Sequence, residues 1–209
     1  MKRKIRLFLL LFTSGCISLM LIFAISALAS SEGIYGGVIR LHVLASSDAE
    51  DDQLLKLHVR DKVLEYAEES IEECKTLDSA LLYLDENLGE IKACAQRAVL
   101  DAGYDYEVDV SFCKEYYPTR EYENVRLPAG EYLSLRVIIG EGEGKNWWCV
   151  LYPPLCTGSA RADEELSEAG FSQNQIRLIT ESENGGYKIK FKIAEVVSSA
   201  LSKLKKLFR

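Results

Sequence analysis

The hydrophobic period changes near Gly103, and that change constrains the fold more than any other feature of the chain. From Leu54 to Ala98 apolar residues recur at steps of three and four, the interval of a helix face. From Tyr106 onward Tyr106, Val108, Val110 and Phe112 alternate with acids and a serine, the interval of a half-buried strand. Helices come first and strands mostly second. That order favours an α+β domain over an alternating α/β one.

The elements can be placed further. Gly36 to Ala45 reads as an early strand, with Val38, Arg40, His42 and Leu44 on one face and Ile39, Leu41 and Val43 on the other. Ser47 and Glu50 have capping-box spacing for a helix running to about Glu73. Leu54, Leu57, Leu64, Ala67 and Ile71 form its expected apolar stripe, widened by Leu55, Val59, Val63 and Tyr66. Leu77, Leu81, Leu84, Leu88, Ile91, Ala95 and Ala98 predict a second helical segment, kinked near Gly89. Together these predict an αα-hairpin covering one face of a mostly antiparallel sheet. Pro118 and Pro128 bound a tyrosine-rich link, and Tyr132 to Ile139 is the next strand. Asn184-Gly185-Gly186 predicts a hairpin turn between strands at Ile176–Ile179 and Tyr187–Ile193. Ala194 to Arg209 predicts a C-terminal helix, with Val197, Leu201, Leu204 and Phe208 opposite Ser202, Lys203 and Lys206. Its apolar stripe suits docking on the domain; its basic edge suits anionic lipid.

The start of the chain is an export signal. Lys2, Arg3, Lys4 and Arg6 precede an apolar run from Leu7, which closes on Ala27-Leu28-Ala29. Residues 1–29 are therefore expected to be a cleaved signal peptide, or a membrane anchor if they stay attached. Gly15-Cys16 resembles a lipoprotein site, but Thr13 stands where such a site has leucine and the apolar run continues past Cys16. Residues 30–209 are then expected to be one extracytoplasmic domain. Residues 30–187 carry a net charge of −17 and residues 188–209 a net of +6. A body this acidic repels phosphate and argues against nucleic acid.

The stretch from Gly140 to Cys156, GEGEGKNWWCVLYPPLC, concentrates unusual residues. It holds both tryptophans, two of the six cysteines and two of the four prolines. Trp147 and Trp148 are adjacent, so on a strand they point to opposite faces. One suits the core and the other an exposed recognition position, with Asn146, Gly140, Gly142 and Gly144 completing a candidate partner-binding set. Two core aromatics on a hairpin strand are the plain alternative. Pro153 and Pro154 end the strand. Cys149 and Cys156 bracket that turn and, in an exported chain, are candidates for a disulfide; five reduced cysteines are the alternative.

Constellations for chemistry are weak. Gly140 to Lys145 lacks the first glycine of a phosphate loop, has Asn146 where serine or threonine should follow, and places Glu141 and Glu143 against phosphate. Two histidines and scattered cysteines give no zinc spacing, so neither metal nor cofactor is expected. A Cys–His hydrolase would need Cys149 with His42 or His58. A cell-wall-binding module would use Trp148 to stack on sugar.

IRLHVLASSD (39 to 48), QLLKLHVRDKVL (53 to 64) and LPAGEYLSLRVIIGEGEGKNWWCVLYPPLC (127 to 156), together with the signal-like start, resemble the stage II sporulation protein R family. FKIAEVV (191 to 197) matches more loosely. The resemblance implies a signalling protein rather than an enzyme, with no catalytic residue to carry over. It implies synthesis in the forespore and export into the space between the two membranes. There such a protein activates a membrane-embedded aspartic protease of the mother-cell membrane, which processes the precursor of sigma factor E. Membrane contact through the N-terminal segment or the basic C-terminal helix fits that setting.

Overall fold

The computed structural model describes residues 10–20, 22, 33–122, 125–155 and 162–180. Residues 10–20 are helical and expose Leu10, Leu11, Phe12, Ile17, Leu19 and Met20. Among the described residues no helix is long and apolar enough to cross a membrane.

The body begins with β1 (Ile39–Leu44), followed by α1 (Glu50–Glu73), α2 (Leu77–Glu86) and α3 (Leu88–Asp101). Five strands follow: β2 (Val108–Tyr117), β3 (Arg120–Tyr122), β4 (Val125–Leu127), β5 (Gly130–Ile139) and β6 (Asn146–Tyr152). Two short helices, α4 (Ala162–Glu168) and α5 (Gln173–Thr180), complete the order. The fold is α+β. Its main sheet runs β2-β5-β1-β6, and β3 pairs with β4 in a separate hairpin. The pairings β2–β5 and β1–β6 are antiparallel, whereas β1 lies parallel to β5. Parallel neighbours need a long crossover, and the three helices, β2 and the β3–β4 hairpin supply it.

β1 sits inside the sheet and is buried on both faces, which divides the interior into two cores. On one face Leu41, Val43, Leu135, Val137, Cys149 and Leu151 meet Leu55, Val59, Val63, Ala67 and Ile71 of α1, Leu84 of α2, and Ile91 and Ala95 of α3. On the other, Tyr117, Tyr132 and Val150 meet Val125 and Leu127 of the hairpin, Leu166 of α4, and Ile176 and Ile179 of α5. Each fully buried side chain of this size contributes about 1.5–3 kcal/mol.

Several local expectations are corrected. The buried stripe of α1 runs through Leu55, Val59, Val63, Ala67 and Ile71, and Leu54 is exposed. The buried stripe is rotated by one residue at its start relative to the expected one. No capping box forms at Ser47: Ala49 is the N-cap of α1, and the Ser47 hydroxyl instead donates to Asp52 at 2.5 Å. The reciprocal box lies one helix later, between Thr76 and Ser79. The helical break falls at Asn87, which ends α2 and caps α3, beside the expected kink. Ile176 to Ile179 lies in α5, not in a strand. Ser172 and Gln175 exchange backbone and side-chain bonds at its start. The tyrosine-rich link is the β3–β4 hairpin. The expected turn at Asn184–Gly186, the strand at Tyr187–Ile193, the helix at Ala194–Arg209 and most of the N-terminal signal lie outside the described residues.

Candidate recognition surface

β6 brings the tryptophan motif to the edge of the described sheet, and its register decides which tryptophan goes where. Trp148 pairs with His42 and shares its face, while Trp147 pairs with Val43 on the helical face. Trp148 is half-buried, with His42 at 5.7 Å and Tyr117 at 6.0 Å between ring centroids. The Arg120 guanidinium lies 4.0 Å from its ring centroid. With Arg120 over the ring and aromatic neighbours beside it, Trp148 offers no free platform for a sugar. Trp147 is 36% exposed and carries Arg60 of α1 4.2 Å from its ring centroid. Arg60 also pairs with Asp61. Asn146 is exposed beside Trp147. An exposed aromatic with a stacked guanidinium is the composition of an interface anchor.

The three glycines shape the loop that presents this edge. Gly140 and Gly142 have φ values of 56° and 66°, a region that disfavours a Cβ. At Gly144 the limit is space, because an added Cβ would collide with the Ser47 carbonyl. The loop is tied to the β1–α1 connection. Gly144 N–H donates to the Ala45 carbonyl at 2.9 Å, and Lys145 N–H donates to Asp48 at 2.8 Å. Lys56 Nζ reaches the Lys145 carbonyl at 3.0 Å. Burial pushes the Lys56 ammonium below its ordinary range, with Arg60 adding repulsion. The loop therefore holds Asn146 and Trp147 in a fixed place.

Behind Trp148 lies a polar seam that sequence reasoning missed. His42 faces Glu115 through Nδ1 at 3.0 Å and the Asn146 side-chain oxygen through Nε2 at 2.7 Å. Arg136 pairs with the same Glu115 at 3.4 Å. One step along β1, Arg40 is fully buried. Its Nε donates to the Cys149 carbonyl at 2.8 Å, and Nη2 donates to the Tyr122 hydroxyl. Tyr117 and Tyr132 flank the guanidinium at 4.2 and 5.0 Å. Burial pushes the Tyr117 and Tyr122 phenols above their usual range, so both remain neutral donors or acceptors. The sequence did hold one signal: Arg40 and His42 alternate on one face of β1, opposite the apolar face that α1, α2 and α3 cover.

The hydrolase arrangement does not assemble. Cys149 is disulfide-bonded, and its side chain lies on the helical face with Leu41, opposite His42. His58 is exposed on α1. Cys16, Cys74, Cys94 and Cys113 are free thiols, and Cys156 lies outside the described residues. Among the described residues no group of histidines, cysteines and carboxylates could hold a metal ion.

The sequence profile of stage II sporulation protein R matches residues 36–162, from just before β1 to the first residue of α4. The chain belongs to the stage II sporulation protein R family. It is 35% identical over 182 residues to stage II sporulation protein R of Bacillus subtilis (strain 168), covering 78% of this chain and 81% of that protein. No solved structure matches it. The matched span takes in the main sheet, the helical layer and the whole tryptophan edge. In this member of the stage II sporulation protein R family, then, Trp147 and its loop belong to the part shared with the family.

Proposed function

We propose that this sporulation protein is an exported signal. In this reading it crosses the forespore membrane and acts in the intermembrane space, either free or held by its N-terminal segment. There it activates a membrane-embedded aspartic protease that processes the precursor of the mother-cell sigma factor E. It does so by binding rather than by catalysis. Family membership supports the sporulation role. The observation that carries the binding role is the rigid edge at Asn146–Trp147, where an exposed indole is held by a hydrogen-bonded loop and stacked by Arg60.

The test is co-expression with the candidate protease and its sigma-factor substrate, scoring removal of the pro-segment. The intact chain is expected to support processing, and Trp147→Ala to reduce it while the protein still accumulates. Normal processing with Trp147→Ala would remove this edge from the interface. No processing with the intact chain would remove the reading itself.

A further inference from the structure

A second feature lies at the opposite end of β6 from Trp147. The end of α1, the end of β6 and α4 enclose a cleft of about 300 Å³ lined by Glu72, Cys74, Lys75, Tyr152, Glu165 and Glu168, among others. Glu72 and Glu168 there outnumber the one ammonium of Lys75. Glu72 also sits in the last turn of α1, where the helix macrodipole opposes an acid and the turn itself holds no basic residue. Tyr152 is only 2% exposed, yet among the described residues its hydroxyl makes no hydrogen bond. Tyr152 and Cys74 line the cleft together. Buried polar atoms in folded proteins are nearly always paired, so an orphan at the wall of an acidic cleft marks a place for a donor.

We propose that this cleft binds a cationic side chain carried by a peptide partner. The carboxylates of Glu72 and Glu168 neutralise the charge, and the Tyr152 oxygen accepts one N–H. Charge-assisted bonds of this kind are the strong ones. The Pro153-Pro154 turn, which also lines the cleft, fixes one wall. The site is independent of the protease reading, because it uses neither Trp147 nor its loop.

The probe is N-acetyl-arginine amide, with N-acetyl-citrulline amide as its neutral counterpart. Each is titrated against the full chain in detergent micelles with tyrosine rings carbon-13 labelled. The Tyr152 signal is assigned by its loss in Tyr152→Phe. A saturable shift is expected with the arginine probe. Binding about tenfold weaker or worse is expected for citrulline, and likewise for the Glu72→Gln, Glu168→Gln double variant, since tenfold corresponds to 1.4 kcal/mol. Both glutamates are exposed, so the double variant should fold. No saturable shift, or equal binding of the two probes, overturns the proposal. Tyr152→Phe supplies a second reading. Its Tm should be unchanged or higher, because the hydroxyl has no internal bond to lose. A clear fall in Tm would show that the hydroxyl is satisfied within the fold and would overturn the site.

Discussion

Trp147 and Trp148 are one position apart in sequence and on opposite faces of a strand, so the same substitution should have two outcomes. Trp148→Ala removes a ring packed among His42, Tyr117 and Arg120 and should cost about 3–5 kcal/mol in urea unfolding. Trp147→Ala removes an exposed ring stacked by one arginine and should cost under about 2 kcal/mol. Similar losses for the two would place both in the core. That the two differ was legible from the period of two. Which one turned inward was not, because Arg60 and Arg120 reach the rings from distant parts of the chain. Two glycines make a similar contrast. Gly144→Ala drives a methyl into a backbone carbonyl and should destabilise by about 1–3 kcal/mol. Gly89→Ala, in the first turn of α3 with open space around it, should stabilise by about 0.5–1 kcal/mol. Thermal melts of the two variants should therefore move in opposite directions.

At the scale of elements, the helix starts show what pattern matching can and cannot deliver. A serine or threonine followed three residues later by a partner occurs at Ser47, Thr76 and Ser172. Only at the last two do the paired side chains meet at a helix start. At Ser47 the hydroxyl bonds Asp52 instead, and the chain enters α1 through Ala49. Thr76→Ala should cost about 1 kcal/mol, whereas Glu50→Ala should leave the start of α1 unaffected within a few tenths of that, by denaturant titration. A larger loss at Glu50 would restore the capping role that the structure gives to no side chain there. The hairpin signal at Asn184-Gly185-Gly186 favours a strand at Ile176–Ile179, where the structure has α5. Their spacing of three and the Ser172–Gln175 pair already pointed to a helix. The helical layer itself was legible because its face is apolar over many turns, which a one-residue rotation at Leu54 does not erase. The parallel β1–β5 pairing was not, because pairing is set by contacts far apart in the chain.

Across the whole molecule, β1 gives its apolar side chains Leu41 and Val43 to one core, and Arg40 is a polar residue that ties the second core to its other face. Its side chain reaches from β1 to the carbonyl of Cys149 on β6 and to Tyr122 on the β3–β4 hairpin, across the faces of Tyr117 and Tyr132. The hairpin strands are only three residues each, too short to be stable alone. Their attachment depends on Val125, Leu127 and the Arg40–Tyr122 bond. Arg40→Met keeps the length and apolar stem but removes every donor, and it leaves the Cys149 carbonyl without that bond. A hydrogen bond to a charged donor is worth about 1.5–3 kcal/mol, so local opening of the hairpin should become roughly tenfold easier or more. Hydrogen exchange should therefore quicken at residues 120–122 and 125–127. Amides of Val59 and Val63, in the core on the other face, should keep their protection relative to global unfolding. Equal acceleration on both faces would mean that the two cores open together, with Arg40 holding the entire sheet rather than its hairpin side.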